Sequence, residues 1–238
     1  IKTNINGAMN VIEVALDHSV QDVVALSTDK ACNPINLYGA TKLASDKLFV
    51  SANLNSINSQ TKFSVVRYGN VMGSRGSVIP FFKKLESSGT IPITDNEMTR
   101  FMISIDQAVN LVLHAIKDAT GGEIYVHKIP SMKITDIAKA IAPNAKQEFV
   151  GIRPGEKIHE IMISSEDAMN TFEYDWYYKI LPSLNNWNKD NDRIKNGKKV
   201  GEDFVYASNN NEDWMSVEEL KKYINSEDYL ELQELNSL

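Results

Sequence analysis

An apolar run that ends in a polar cluster constrains the fold of this chain more than any other sequence feature. Residues 23–26, Val-Val-Ala-Leu, predict a fully buried strand of a parallel sheet. Ser27, Thr28, Asp29 and Lys30 follow this run directly. Because open α/β sheets bind their ligands at the carboxyl ends of their strands, these four residues are candidates for a functional site.

A helical pattern begins at Tyr38 and continues to Leu54, after a loop marked by Asn33 and Pro34. Tyr38 and Lys42 are four residues apart, so they lie on the same face of this helix. A nearby ammonium favours the phenolate form of tyrosine, which makes Tyr38 a candidate general base. Taken alone, such a pair is more often part of an ordinary helix surface.

The longer segment from Ser27 to Phe49, STDKACNPINLYGATKLASDKLF, is more specific. It resembles the extended short-chain dehydrogenase/reductase family and, within that family, the inverting UDP-N-acetylglucosamine 4,6-dehydratases. These enzymes make deoxy-keto sugar nucleotides for surface polysaccharides and flagellar glycans. The resemblance implies an α/β fold with a Rossmann-like, doubly wound parallel sheet and a smaller α/β substrate-binding region.

The resemblance also implies a role for each residue of the cluster. Tyr38 would take the proton of the sugar C4 hydroxyl, and Thr28 would hydrogen-bond to the C4 oxygen. Ser27, Tyr38 and Lys42 would contact a tightly held cofactor, NADP or NAD, which is regenerated in each turnover.

Asp29 and Lys30 carry the sharper expectation. Retaining dehydratases of the superfamily have Asp-Glu at these two positions, whereas the inverting type has Asp-Lys. The reaction needs a base for the C5 proton and an acid for the departing C6 hydroxyl, and this pair can supply both. The alternative is a surface Asp-Lys pair that follows a strand.

Further candidates follow later strands. Asn70 comes just after a predicted strand at residues 62–67, and its amide offers two donors and one acceptor to a sugar nucleotide. The Arg153–Lys157 segment, Arg-Pro-Gly-Glu-Lys, resembles the nucleotide-contacting loop of the family. The substrate contacts predicted from these motifs are Asn70, Arg75, Arg100, Arg153 and Glu156. Turn capping by Asn70 and a solvated Arg75 remain alternatives.

The first half of the chain lacks the G-x-G-x-x-G fingerprint with which a dinucleotide-binding fold opens. We therefore expect a fragment that lacks three strand-helix units, on the order of 90 residues. A sheet without its first strands would expose apolar edges. The alternative is a different fold that never contained this loop.

Composition limits the classes of function. A net charge of -6 argues against a nucleic-acid-binding surface, and no apolar run approaches the roughly 20 residues of a membrane span. The single cysteine, Cys32, is typical of a cytoplasmic protein, and the four histidines lack metal-ligand spacing. The expected partner is a UDP-sugar, and the family resemblance implies a homo-oligomer.

We predict three regions along the chain. Residues 1–127 form the carboxyl-side part of the NAD(P)-binding domain, with a substrate-domain insertion near 73–98. Residues 128–190 form the substrate-binding region, and residues 191–238 form a carboxyl-terminal extension. The predicted helices are 78–85, 106–117 and 134–141, the predicted strand is 123–127, and Ser216 begins a capping box.

Two other functions remain open at this point. An NAD-dependent nucleotide-sugar epimerase would keep Tyr38 and Lys42, but it would have no use for Asp29 and Lys30 in C5 proton chemistry. A non-catalytic scaffold or cofactor sensor on the same fold would be favoured by loss of the Tyr38–Lys42 pair, and both residues are present.

Overall fold

The structure is a computed structural model that describes residues 1–55, 60–183 and 189–237. It divides into two compact units that interleave along the sequence. The first unit comprises Ile1–Tyr68, Asp106–Lys128 and Ile161–Tyr206, and the second comprises Gly69–Ile105, Ile129–Glu160 and Ala207–Leu238. The predicted regions, with boundaries at 127/128 and 190/191, are defined by function rather than by compactness. These regions stay a prediction.

The described helices are α1 (Gly7–Asp17), α2 (Leu37–Asn55), α3 (Val78–Leu85), α4 (Ile105–Asp118), α5 (Ile134–Ile141), α6 (Ser165–Ala168), α7 (Asn191–Ile194), α8 (Val217–Ile224) and α9 (Glu227–Ser237). The described strands are β1 (Asp22–Thr28), β2 (Lys62–Tyr68), β3 (Asn70–Val71), β4 (Thr90–Ile93), β5 (Thr99–Ile103), β6 (Ile124–His127), β7 (Ser131–Lys133), β8 (Lys146–Phe149), β9 (Ile161–Ile163), β10 (Thr171–Glu173), β11 (Tyr177–Ile180), β12 (Lys198–Lys199) and β13 (Tyr206–Ala207). A π-helix at Lys2–Asn6 precedes α1, and a 3₁₀ turn at Asp29–Ala31 follows β1.

The first unit contains a six-stranded sheet in the order β1-β2-β6-β11-β10-β12. The first three strands are parallel, whereas β11, β10 and β12 are added in antiparallel orientation. The parallel part confirms the predicted α/β fold class. The antiparallel part was not predicted, since its strands have only two to four residues and carry little periodic signal.

Helices cover both faces of this sheet at β2. Successive side chains of a strand point to opposite faces, so β2 presents apolar side chains to a helix on each side. Phe63 packs against Phe49 of α2, with ring centroids 6.3 Å apart. Val66 points to the opposite face, where it shares a buried cluster with Leu111 and Ala115 of α4. Both faces of β2 are therefore buried, as is typical of a parallel strand between two helical layers.

The prediction that residues 23–26 are fully buried is wrong. In the described part of the chain β1 is an edge strand, and Leu26 is 53% exposed. Met9, Val11 and Val14 on the preceding helix are also exposed. An apolar run predicts a strand reliably, but whether another strand lies beside it depends on contacts distant in sequence.

The second unit has its own core around α5, which was predicted at its observed bounds, as was α3. A three-stranded sheet in the order β3-β5-β7 and a parallel pair β4-β8 surround this core. The predicted capping box is also confirmed, because Ser216 and Glu219 bond reciprocally at the start of α8.

Candidate active site

The carboxyl end of β1 turns sharply into the 3₁₀ turn that carries the predicted acid-base pair. Thr28 caps this turn, and its hydroxyl accepts a hydrogen bond from the Lys30 N–H at 3.3 Å. The same hydroxyl donates to Asp29 Oδ1 at 2.9 Å. Three consecutive residues are thus joined by short-range hydrogen bonds, as expected where Ser, Thr or Asp follows a strand.

Asp29 and Lys30 differ in their exposure to solvent. Lys30 Nζ lies 3.1 Å from Asp29 Oδ1, and the two side chains are 36% and 0% exposed. The other carboxylate oxygen of Asp29, Oδ2, is buried and has no hydrogen-bond partner among the described residues. A buried carboxylate oxygen without a donor costs free energy. A proton, or a hydrogen bond donated by a ligand hydroxyl, would therefore stabilise Asp29 Oδ2.

Helix α2 reaches this turn because residue 39 is glycine. A Cβ at Gly39 would collide with the Lys30 carbonyl oxygen and would lie 2.9 Å from Cβ of Pro34. The Asn36 side chain caps α2 by accepting from the Gly39 N–H at 2.8 Å. This close approach brings the first turn of the helix, with Tyr38, next to the 3₁₀ turn. Sequence reasoning missed the role of Gly39.

Tyr38 and Lys42 lie one turn apart on α2, as predicted. Tyr38 is 51% exposed, and its hydroxyl has no partner among the described residues. Lys42 Nζ donates to the Leu26 carbonyl oxygen on the edge strand β1 at 2.6 Å. This bond uses one of the three N–H groups of Lys42. Asn4 in the π-helix donates to Thr41 at 3.0 Å and so ties the start of the chain to this helix.

A buried polar network lies beside the end of β1 that leads into the 3₁₀ turn. Ser27 donates to Asp46 Oδ2 at 2.7 Å, and Arg67 lies 3.5 Å from the same oxygen. Arg67 also pairs with Asp167 at 3.1 Å and donates to the Met162 carbonyl at 2.7 Å. Burial raises the pKa of the Asp46 carboxyl, although Arg67 opposes this shift. The Ser27 hydroxyl is engaged here, and its assignment to the cofactor stays a prediction.

The predicted substrate contacts lie in the second unit. Asn70 begins β3, and its Oδ1 is buried without a hydrogen-bond partner among the described residues. Arg153 and Glu156 form an exposed turn, in which the Glu156 carboxylate accepts from the Arg153 N–H at 3.4 Å. Arg75 is exposed in the loop between β3 and α3.

Arg100 is buried rather than solvent-exposed, at 7% exposure. Its guanidinium donates to the carbonyls of Thr99, Ile158 and Lys157 at 2.7, 3.0 and 3.0 Å. Arg100 therefore fixes the backbone that follows the Arg153–Glu156 turn. Its assignment as a substrate contact is not tested by these bonds, since they use three of its five N–H groups.

In the ranges 1–55, 60–183 and 189–237, no group of three or more His, Cys, Asp or Glu side chains could hold a metal ion. Within the same ranges, every helix is too short or too polar to cross a membrane.

Comparison with known proteins identifies relatives that share most of the chain. A family model described as "Polysaccharide biosynthesis protein" matches residues 1–182. A UDP-N-acetylglucosamine 4,6-dehydratase (inverting) from Campylobacter jejuni is 57% identical over 232 residues, which cover 94% of this chain and 70% of that protein. A UDP-glucose 4-epimerase from Rickettsia akari is 37% identical over 97% of this chain and 69% of the relative.

Solved structures agree on the fold. Pen from Bacillus thuringiensis matches with a TM-score of 0.81 and 36% identity, over 93% of this chain and 67% of that chain. A UDP-glucuronic acid 4-epimerase from Bacillus cereus, solved with NAD and a UDP-sugar, matches with a TM-score of 0.56 and 19% identity, over 66% of this chain and 57% of that chain. The chain therefore belongs to the polysaccharide biosynthesis protein family, alongside the nucleotide-sugar dehydratases that its Ser27–Phe49 segment resembles.

Proposed function

We propose that this protein is an inverting 4,6-dehydratase of UDP-N-acetylglucosamine, which forms a UDP-4-keto-6-deoxy-N-acetylhexosamine for surface polysaccharide or flagellar glycan synthesis. The observation that carries the proposal is the Asp29–Lys30 pair at the end of β1. One oxygen of Asp29 pairs with Lys30, while the other is buried and accepts no hydrogen bond from the part of the chain that the structure describes. The C. jejuni relative supports the choice of substrate.

The reaction removes one water, and the three proton transfers that lead to this loss each have a candidate group. Tyr38 takes the proton of the C4 hydroxyl as C4 becomes a ketone, which acidifies the C5 proton. Asp29 and Lys30 supply the base that removes this proton and the acid that protonates the departing C6 hydroxyl. A proton then returns to C5 from the opposite face, which inverts that centre.

Thr28 links the two stages of this mechanism. Its single hydroxyl hydrogen points to Asp29 Oδ1, so it must leave that oxygen in order to donate to a C4 ketone. Asp29 Oδ1 then retains the Lys30 ammonium as a partner while the C5 proton is removed.

We further propose a nicotinamide dinucleotide as cofactor, NADP with NAD as the alternative; when bound, it would take the hydride from C4 and return it to C6. The donor set fits such a group. The Tyr38 hydroxyl has no partner in the described ranges of the chain, and Lys42 uses one of its three N–H groups, so both can bond to ribose hydroxyls. The Ser27 hydroxyl is a third proposed contact.

The remaining assignments are also proposals. Asn70, Arg75, Arg100, Arg153 and Glu156 would bind the UDP part of the substrate, with arginine suited to the diphosphate. Residues 1–127, 128–190 and 191–238 would serve as cofactor-binding part, substrate-binding region and carboxyl-terminal extension. The protein would act as a homo-oligomer in the cytoplasm, whose reducing conditions suit the buried thiol of Cys32.

The test is incubation with UDP-N-acetylglucosamine and cofactor in deuterated water, followed by NMR of the sugar. We expect a 4-keto-6-deoxy product with deuterium at C5 and inverted C5 geometry. Lys30→Met should abolish deuterium incorporation, while the matched variant Lys139→Met, on the exposed surface of α5, should not. Retention of configuration at C5 would contradict the role of Lys30.

An epimerase is the second candidate, because the Rickettsia relative covers 97% of the chain. It would return a C4 epimer that keeps its C6 hydroxyl. That product in the same NMR experiment would replace the dehydratase proposal.

A further inference from the structure

Residues 157–160 follow the proposed nucleotide-binding turn. Hydrogen bonds to main-chain atoms hold three of these four residues. Arg100 donates to the carbonyls of residues 157 and 158. Glu160 is held at both ends, because its N–H donates to Ser208 Oγ at 3.0 Å and its carbonyl accepts from the Ser208 N–H at 2.8 Å. The remaining residue, His159, is held by its ring.

Two hydroxyl groups form a relay to that ring. Thr99 Oγ1 lies 2.6 Å from Ser208 Oγ and 2.8 Å from His159 Nδ1. Ser208 Oγ is 3.3 Å from the Thr99 carbonyl, beyond the usual range of about 2.5–3.0 Å for O–H···O bonds. That carbonyl already accepts from Arg100 at 2.7 Å. The shorter contact favours a Ser208 hydrogen that is directed to Thr99 Oγ1 rather than to the carbonyl, and the Thr99 hydrogen is then directed to His159 Nδ1.

This direction fixes the tautomer of His159. With Nδ1 as acceptor, the ring proton of the neutral imidazole is on Nε2. Adding a proton to Nδ1 would reverse the relay and leave Ser208 with the long bond. Burial lowers the pKa of His159, with Arg100 as the next cause and Lys133 acting in the same direction, whereas Glu97 and Asp95 oppose.

We propose that the Nε2–H of His159 donates to an acceptor oxygen of the bound nucleotide, and that Thr99 and Ser208 are positioning residues that fix this donor. The inference rests on the proposed function, since it takes the adjacent Arg153–Glu156 turn as a nucleotide contact. His159 is half-buried, and its Nε2 has no hydrogen-bond partner among the described residues. A fixed donor at the base of a ligand-binding turn adds specificity with little loss of side-chain entropy.

The tautomer is tested directly by ¹⁵N NMR of the imidazole in the full chain. We expect the Nε2–H form in the natural protein and in Thr99→Ser, which keeps the hydroxyl. Thr99→Val removes the relay, so it should give a mixture of tautomers. Predominance of the Nδ1–H form in the natural protein would overturn the proposal.

Binding is tested by calorimetric titration with UDP and with uridine. His159→Phe should weaken UDP binding about 3- to 10-fold, the range for one neutral hydrogen bond. Thr99→Val should weaken it in the same direction and Thr99→Ser should restore it. The matched control is His18→Phe, since His18 is exposed in the other unit and should leave affinity unchanged.

The two ligands separate the source of the acceptor oxygen. If His159→Phe loses affinity for UDP alone, the acceptor is a phosphate oxygen. If it loses affinity for both UDP and uridine, the acceptor is on the base or the ribose. Natural affinity for UDP in His159→Phe would overturn the inference while the proposed function stands. Absence of UDP binding by the natural protein would overturn both, and weak binding by the variant with no dehydration by either protein would overturn only the proposed function.

Discussion

Replacing Arg67 by methionine tests whether the buried network holds the first unit together. Arg67 and Asp46 are each 2% exposed and lie 3.5 Å apart, and Lys42 is a weaker cationic influence on Asp46. In Arg67→Met, Asp46 keeps the hydrogen bond from Ser27 but loses the counter-charge of Arg67. Breaking a buried ion pair by removing one partner typically costs about 3–5 kcal/mol.

Protonation of Asp46 limits this loss and gives it a pH dependence. Keeping an aspartate neutral at pH 7 costs about 4 kcal/mol relative to an unfolded chain with a pKa near 3.9, at about 1.36 kcal/mol per pH unit. This upper limit on the loss of stability falls to about 2 kcal/mol at pH 5.5. In the variant the folded state binds more protons than the unfolded state, so the loss of stability must grow as pH rises.

The assay is urea unfolding at pH 5.5 and pH 7, followed by near-ultraviolet circular dichroism. Lys139→Met is the control, because its pair with Asp136 is exposed and should contribute about 0.5 kcal/mol or less. Adding Asp46→Asn to Arg67→Met removes the buried charge and should recover part of the stability. A loss in Arg67→Met equal to that in the control, or independent of pH, would refute the reasoning.

Three further predictions concern single side chains. Asp118 has its pKa held near 2: burial alone would raise it, and hydrogen bonds from Lys179, Lys195 and Tyr125 more than offset this. Asp118→Asn should therefore lower the free energy of unfolding at pH 7 by about 2 kcal/mol, which urea unfolding would detect as a lower midpoint. This difference in stability between variant and natural protein should vanish as pH falls from 3.8 toward 2. Gly39→Ala should lower kcat more than 10-fold in steady-state assays because its Cβ would displace the catalytic turn, whereas Gly201→Ala, with open space around its Cβ, should not. Tyr38→Phe should reduce turnover at least about 100-fold while calorimetry shows unchanged UDP affinity.

Local patterns in the sequence were sufficient for much of the fold. Helices α3 and α5 were predicted at their observed bounds because apolar residues recur at helical spacing between clear breakers. The edge position of β1 does not follow from its apolar run, since it depends on which strands pair. Residues 190–202, which are rich in charged residues and Asn, give no such pattern, yet Asp190 caps the short helix α7 and Lys198–Lys199 form β12.

The same distinction applies to the candidate site. The motif placed Tyr38 and Lys42 on one helix next to the turn with Asp29 and Lys30, and the structure has the four residues in these elements. The sequence did not reveal that Arg100 bonds to carbonyls 57 and 58 residues away. Contacts at such separations are set by tertiary packing, and no short pattern encodes them.

The Asp46–Arg67 pair shows how stability and catalysis depend on the same contacts. Asp46 lies on α2 eight residues after Tyr38, and Ser27, which bonds to it, directly precedes Thr28. Apolar residues of similar volume would often be at least as stabilising as a buried ion pair, so stability alone gives little reason for charges here. Apolar contacts tolerate small shifts in position, whereas an ion pair with directed hydrogen bonds fixes one geometry. In the proposed mechanism, that geometry joins the strand that leads into Asp29 and Lys30 to the helix that carries Tyr38. Each of these groups must keep its position to well under 1 Å for proton transfer to and from the substrate.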